Sequence, residues 1–299
     1  MDDRIPTTTV HGGQPCWLAV TSLSFDISVL ELFWTLARGF RVVIYKDRAK
    51  SAVEDAVPAH VAARPMGFGL FMWGNDDGPG KQKYELMLEG AKYLDKNGFN
   101  AVWTPERHFH AFGGPYPNPS VTGAAFAVVT ENVQIRSGSC VSPLHHPIRI
   151  AEEWAVVDNL SGGRVGLSFA SGWQPNDFVL RPESYGTKDK PRNKQVMLEQ
   201  IDIVRRLWRG EKVPFPNPFG DMVEVQTLPR PVQPELPFWV TTAGNPKTYE
   251  DAGRAGANVL THLLGQSFEE VAGKIEIYRR ARAEAGLDPK TGVVTLMLH

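Results

Sequence analysis

The chain has 299 residues, a formal charge of −1 and only two cysteines, Cys16 and Cys140, and no apolar run reaches the ~18 residues of a membrane helix. This length suits one large domain with an additional segment, and the near-neutral charge favours neither nucleic acid nor an anionic membrane as a partner. Two distant cysteines in no ligand-like spacing indicate a reducing, cytoplasmic setting and argue against a disulfide scaffold or a zinc site.

Residues 1–45 predict a small β–α–β segment. Short apolar strands at 16–20 and 40–45 flank an amphipathic helix over 27–37, with Asp26 among its N-cap residues. Such a unit is too small to bury both of its faces by itself. Residues 46–65 begin with a charged run at 46–50 and contain Pro58 and Pro65, and they are predicted to be a linker with one weak helix.

The stretch Leu18-Ala-Val-Thr-Ser-Leu-Ser-Phe-Asp-Ile-Ser-Val-Leu-Glu-Leu-Phe-Trp resembles a core motif of the adenylation domains of nonribosomal peptide synthetases. The glycine-rich ATP loop and the later motifs of that family are absent from this sequence. The resemblance therefore implies a fragment of an adenylation domain without adenylation activity. Asp26 helps to bind the substrate amino group in that family, but here we interpret it as a helix cap.

Residues 66–299 alternate short apolar strands with amphipathic helices, which indicates parallel strands joined by helical crossovers. Strands are predicted at 67–72, 101–104, 133–140, 164–169, 237–241, 257–261 and 292–298. Helices are predicted at 80–97, 118–130, 147–159, 194–209, 246–255 and 268–285. We therefore expect an α/β fold of the (β/α)8 TIM-barrel type, truncated after the seventh strand, and we interpret the chain as a fragment.

Glu106, Arg107 and His108 follow the strand at 101–104, where Pro105 ends the ladder. Catalytic side chains of a parallel barrel lie at the C-terminal ends of its strands. These three residues are accordingly predicted to be catalytic. The alternative is a strand-end ion pair between Glu106 and Arg107 with a histidine packed beside it.

Small residues lie at the ends of three further strands. Glycine at 138 and serine at 139 would let a flat ring lie against the backbone, although small residues also simply fill barrel interiors. A glycine turn before the helix at 246–255 provides free N–H groups for an anion, but such turns are common without a phosphate. The predicted cofactor-binding residues are Gly138, Ser139, Ala170, Ser171, Gly172, Ala243, Gly244 and Asn245.

Large apolar side chains are placed to exclude water from this face of the barrel. The predicted substrate-pocket residues are Trp73, Trp103, Phe109 and Trp173. The four histidines His108, His110, His145 and His146 suggest a metal site at first sight, but no carboxylate stands at ligand spacing from them, so no metal is predicted.

Taken together, residues 66–299 resemble the bacterial luciferase-like, flavin-dependent monooxygenases. The resemblance rests on Trp103-Thr-Pro-Glu-Arg-His-Phe, on Leu160-Ser-Gly-Gly-Arg-Val-Gly-Leu, and on segments at 68–73, 118–119, 146–152 and 243–246. It implies FMN across the C-terminal mouth of the barrel, with a bulge at Gly138-Ser139, often containing a cis non-proline peptide, beneath the ring. It also implies that the loops at 170–172 and 243–245 hold the phosphate.

One position departs from that family. Luciferases carry Glu-His-His where this chain has Glu106, Arg107 and His108, and the first histidine is the one usually given the catalytic role. Arginine stays protonated near neutral pH and cannot act as a base. We therefore expect His108 to handle the proton, with Glu106 orienting it, and Arg107 either to bind an acidic substrate or to stabilise an anionic intermediate.

The resemblance implies a monooxygenase that uses reduced FMN and O₂ on a small or carrier-bound acyl or peptidyl substrate. No Rossmann glycine fingerprint is present, so a separate flavin reductase is expected as a partner, together with other synthetase domains. A homodimer is left open. Two alternatives remain, namely a flavin- or deazaflavin (F420)-dependent hydride-transfer oxidoreductase of the same fold, and a non-catalytic fragment.

Overall fold

A computed structural model of the chain describes residues 67–298 and two short strands that precede them. Strand β1 (Cys16–Ala19) pairs in parallel with β2 (Arg41–Ile44). This pairing agrees with the predicted β–α–β segment, whereas the helix expected over 27–37 and the linker over 46–65 lie outside the described residues. Residues Gly67–Met297 form a compact unit.

This unit is organised around a parallel sheet of seven strands, which pair in the same order as they occur along the chain. The strands are β3 (Gly69–Phe71), β4 (Ala101–Thr104), β5 (Gln134–Val141), β6 (Val165–Ala170), β9 (Phe238–Thr241), β10 (Asn258–His262) and β11 (Val294–Met297). All seven predicted strands are present and every pairing is parallel. The expected fold, an α/β barrel of the TIM type truncated after the seventh strand, is confirmed.

Among residues 67–298, six helices connect the parallel strands at the predicted places, and one short helix was not predicted. They are α1 (Glu85–Lys96), α2 (Pro119–Ala127), α3 (Pro147–Ser161), the short α4 (Pro182–Tyr185), α5 (Asn193–Arg209), α6 (Pro246–Arg254) and α7 (Phe268–Glu284). Glycines at the ends of α3 and α5 adopt left-handed conformations, with φ of 67° at Gly162 and 86° at Gly210. Residues with a Cβ rarely adopt this conformation, which explains why glycine marks these helix ends in the sequence.

The structure adds a hairpin that the sequence analysis missed. Strands β7 (Val213–Pro216) and β8 (Met222–Val225) pair in an antiparallel manner between α5 and β9, apart from the main sheet. Pro214 and Pro216 obscured the strand, because proline cannot donate to a ladder and is tolerated only at edges.

Two layers of apolar side chains stabilise the unit. The outer layer packs the helices on the sheet and includes the buried side chains of Trp154, Phe126 and Trp208. The inner layer fills the barrel with Trp103, Trp239 and Leu260. The guanidinium of Arg136 lies between the two indoles, 5.0 and 4.4 Å from their ring centroids, and burial lowers its pKa to about 10.

Arg164, from the Leu160-Ser-Gly-Gly-Arg segment, is a structural residue. Its buried guanidinium donates to the carbonyls of Ser161 (2.7 Å), Val133 (2.6 Å) and Thr130 (2.7 Å). It thereby joins the end of α3 to the loop before β5, and this explains an arginine at the start of a barrel strand. Within residues 67–298, no helix is long and apolar enough to cross a bilayer.

Candidate active site

The carboxylate of Glu106 is the centre of the candidate site. The chain leaves β4 at Pro105, and the side chain of Glu106 is fully buried behind the C-terminal ends of β4 and β5. Its Oε1 accepts hydrogen bonds from Nε2 of His108 (3.0 Å) and Nε2 of His145 (2.6 Å), and its Oε2 accepts from the N–H of Val141 (2.7 Å). Both oxygens are therefore occupied by donors.

These donors determine the charge of the network. Burial opposes ionisation of Glu106, but the charge of His145 and the hydrogen bonds from His108, His145 and Val141 outweigh it and lower its pKa. Burial likewise works against a charged His145, but the charge and hydrogen bond of Glu106 and the charge of Glu153 raise its pKa. The network thus favours an ionised carboxylate beside a protonated imidazole.

His145 is a member of this network that sequence reasoning missed, since it considered this histidine only as a metal ligand. Thirty-nine residues separate it from Glu106 along the chain. The signal that would have found it is its place directly after β5, the strand that neighbours β4 in the sheet.

Arg107 points into a different environment from Glu106. Its Nη1 lies 2.5 Å from Oδ1 of Asp177, and the side chains of the two residues are only 4% and 10% exposed. Its guanidinium also lies over the ring of Trp173, 5.1 Å from the centroid. The partner carboxylate comes from the loop after β6 and was not predicted. It neutralises the charge that we expected to bind an anion.

The predicted bulge occurs in β5. The register against β6 shifts between Gly138 and Cys140, and the Gly138–Ser139 peptide bond is cis. A Cβ at position 138 would lie 2.5 Å from the ring of Phe71, so only glycine fits there. The hydroxyl of Ser139 bonds with that of Thr241 (2.5 Å), which also bonds with Ser168 (2.6 Å).

The two predicted phosphate loops lie at the same edge of the sheet, because β6 and β9 are paired neighbours. After β6, Gly172 has φ of 82°, and Asn193 donates to the carbonyls of Ser171 (2.9 Å) and Gly172 (3.1 Å). After β9, Asn245 caps α6 by accepting from the N–H of Lys247 (2.9 Å).

Unused donors and open space are found in the second loop. Within residues 67–298, the N–H groups of Ala243 and Gly244 have no hydrogen-bond partner, and the buried hydroxyl of Thr242 has none either. A Cβ at Gly244 would meet nothing within 4 Å. A helix start with free N–H groups and space in front of it suits an anion.

The predicted aromatic residues take different positions around the mouth. Phe109 and Trp173 are 67% and 76% exposed, and Phe109 has an unusual φ of 54°. Trp73 stacks on Phe112, with centroids 5.0 Å apart, and borders a cleft of about 400 Å³. Trp103 is buried inside the barrel, within 3.2 Å of where a Cβ of Gly138 would lie, and so forms a floor rather than a wall.

Three groups that bind metals elsewhere also meet here. Ligand atoms of Glu106, Cys140 and His145 lie within 4.8 Å of one another, which corrects the expectation that no carboxylate stands near the histidines. Both oxygens of Glu106 already accept hydrogen bonds. Burial, with the nearby charges of Glu106 and Glu153, raises the pKa of Cys140 well above its usual value, so the thiol stays protonated. We interpret the group as a hydrogen-bond network.

Comparison with known proteins shows which proteins this chain is similar to. The chain is 31% identical over 213 residues to the oxygenase component of the flavin-dependent trigonelline monooxygenase of Acinetobacter baylyi, covering 69% of this chain and 57% of that protein. It is also 31% identical to the crystal structure of monooxygenase RslO1 from Streptomyces bottropensis, with a TM-score of 0.67 over 77% of this chain and 70% of that one.

The fold is shared more widely. The oxygenating constituent of 3,6-diketocamphane monooxygenase from Pseudomonas putida, solved in complex with FMN, is 18% identical and gives a TM-score of 0.67 over 78% of this chain and 67% of that one. Of the full length of the trigonelline monooxygenase component, the chain spans a little over half. The profile described as "Luciferase-like monooxygenase" matches residues 66–299, and the chain therefore belongs to the luciferase-like monooxygenase family.

Proposed function

We propose that this chain carries the flavin-binding and catalytic face of the oxygenase component of a two-component monooxygenase, which uses reduced FMN and O₂. The observation that carries the proposal is the arrangement at one edge of the sheet. A buried carboxylate with two imidazoles, at the ends of β4 and β5, stands beside the Gly138–Ser139 bulge and two loops that suit a phosphate.

The residues present fit FMN. A Cβ at Gly138 would lie 2.5 Å from the ring of Phe71, so glycine lets the backbone of the bulge pack closely against this aromatic side chain. Among the described residues, nothing bonds to the N–H groups of Ala243 and Gly244 at the start of α6 or to the buried hydroxyl of Thr242, so these groups are available to a ligand. We assign the ring to the bulge and the phosphate to this loop together with Ala170, Ser171 and Gly172.

Bound reduced FMN supplies the electrons that activate O₂, and the protein has few further tasks. His108 donates from Nε2 to Glu106, which leaves its Nδ1 as the atom that takes up or releases a proton. Phe109 and Trp173 are exposed aromatic side chains beside the site and would cover the bound substrate and exclude water. Arg107 joins the β4 exit to the loop after β6 through Asp177.

The N-terminal motif extends the proposal to the substrate. Residues 18–34 resemble a synthetase motif, so we propose that the substrate is an acyl or peptidyl group of secondary metabolism, carried by a neighbouring synthetase domain or released from it. A flavin reductase is the proposed electron-supplying partner. The name of the trigonelline relative, an oxygenase component, supports a separate reductase.

Two measurements on the whole chain test the proposal. FMN added to the protein should change its visible absorbance on binding, and reduced FMN should then drive O₂ consumption that depends on an added acyl substrate. Absence of FMN binding would refute the proposal and favour the alternative that the chain is a non-catalytic fragment. Binding followed by hydride transfer without O₂ consumption would instead support the hydride-transferring oxidoreductase.

A further inference from the structure

The network around Glu106 contains more imidazoles than its one charge can balance. A single carboxylate accepts from both His108 and His145 at the same oxygen, Oε1. One anion in a buried site fully compensates only one cation, so the two imidazoles compete for the same charge. The shorter distance, 2.6 Å to His145 against 3.0 Å to His108, indicates that His145 is the favoured partner.

His145 is held firmly in this position. Its carbonyl accepts hydrogen bonds from Nη1 of Arg181 (2.5 Å) and from Nε2 of Gln200 in α5 (3.0 Å). Its own N–H donates to the carbonyl of Ser142 (2.9 Å). The backbone of this loop is thus fixed from three sides, and the imidazole is directed at Oε1 of Glu106.

Resting on the proposed function, we propose that His145 is a positioning residue. Its protonated imidazole forms the ion pair with the carboxylate of Glu106, so that His108 stays neutral and can act as the base. With Nε2–H of His108 donating to Glu106, the lone pair on Nδ1 is then free to accept a proton. In this role His145 acts on His108 only through Glu106.

The charged groups around His145 agree with this role. Glu106 from the β4 exit and Glu153 from α3 both favour its cation, while Arg181 from the loop after β6 and burial oppose it, and the net result is a raised pKa. The Cys140 thiol on β5 is protonated and adds no charge. The two carboxylates therefore stabilise a proton on His145 at a pH where free imidazole has lost it.

A titration of the protein without flavin tests the inference. In protein labelled with ¹⁵N-histidine, NMR reports the protonation and the tautomer of each ring, with His108→Asn and His145→Gln assigning the signals. In the wild type, His145 should stay protonated to a higher pH than His108, and His108 should be the Nε2–H tautomer. In His145→Gln, His108 gains the whole carboxylate, so the pH at which it is half protonated should rise by about one unit or more.

The neighbouring histidine provides the matched control. His146 caps α3 by accepting from the N–H of Ile148 (3.3 Å) through Nδ1 and does not bond with Glu106. Asparagine keeps that cap, so His146→Asn should leave the titration of His108 unchanged. Equal titration of His108 in the wild type and in His145→Gln would overturn the proposal, and so would a wild type in which His108 is charged while His145 is neutral.

The order of titration in the wild type decides the question even where His145→Gln does not fold. It also separates this inference from the proposed function, because the flavin-free titration can succeed when O₂ consumption fails. Where turnover is measured, the acidic limb of the kcat/KM profile should move to higher pH in His145→Gln by the same amount as the NMR titration. A general loss of structure would lower activity without moving that limb.

Discussion

Replacing Asp177 by asparagine tests whether the charge of Arg107 is balanced inside the protein. Nη1 of Arg107 lies 2.5 Å from Oδ1 of Asp177, and both side chains are nearly inaccessible, at 4% and 10% exposure. The Nε of Arg107 is also buried and makes no hydrogen bond within the described residues, so this atom does not compensate the loss. Breaking a buried pair by removing one partner costs about 3–5 kcal/mol. Asparagine keeps one oxygen acceptor, so we expect the lower end, about 3 kcal/mol.

The assay is urea unfolding followed by tryptophan fluorescence. The matched control is Glu284→Gln, because Arg254 and Glu284 form an exposed pair at 56% and 51% exposure, and surface pairs contribute less than about 1 kcal/mol. The double variant Arg107→Met/Asp177→Leu should regain most of the stability, since neither charge remains buried. Equal, small losses in Asp177→Asn and Glu284→Gln would refute the reasoning and return Arg107 to the role of a free anion-binding group.

Four further outcomes are expected. His108→Asn should lower turnover by about 10²–10⁴ with FMN still bound, measured by steady-state kinetics with supplied reduced FMN, and unchanged turnover would exclude His108 as the base. Gly244→Asp should weaken FMN binding about tenfold or more relative to Gly244→Asn, measured by flavin fluorescence, because only the added charge repels phosphate. Arg164→Lys should lower the unfolding free energy in urea by about 3 kcal/mol, because lysine cannot reach all the carbonyls that arginine bonds. In the wild type, part of the unfolding free energy should be lost as the pH rises above about 6.5, and His145→Gln should lack that part of the loss, measured by urea unfolding at several pH values. The raised pKa of His145 stabilises the fold fully below about 6.5, and this contribution fades as the pH rises through its folded value.

The alternation of short apolar strands with helices in the sequence was sufficient to predict the fold. Each parallel strand is a short apolar run bounded by turn residues, and positions such as Gly162 and Gly210 mark helix ends because their left-handed φ excludes most other residues. The β7–β8 hairpin escaped because prolines stand at alternate positions in the first strand. Proline disrupts the residue pattern that predicts a strand, and β7 is recognised as a strand only from its antiparallel pairing with β8 in the folded protein.

Around Glu106 and Arg107, the sequence analysis identified only the residues that follow one another along the chain. Glu106 and His108 are two residues apart, and the strand end that carries them is visible in the sequence. His145 and Asp177 are 39 and 70 residues from their partners. Their pairing depends on which strands become neighbours, since a loop after β5 or β6 reaches the β4 exit only in the folded sheet. Side-chain partners across neighbouring loops therefore need the tertiary structure.

Arg107 and its neighbour Glu106 each have a partner that is distant in sequence, namely Asp177 for Arg107 and His145 for Glu106. Arginine cannot exchange a proton near neutral pH, so Arg107 cannot act as the base. The imidazoles instead lie on Glu106, where His108 and His145 share one oxygen and can hold different protonation states. Asp177 takes the charge of Arg107, and the pair joins two of the loops at the mouth. Under the proposed function, proton transfer belongs to His108, and Arg107 is a structural link through Asp177. Asp177→Asn and His145→Gln test these two roles separately, because the first should change stability and the second the titration of His108.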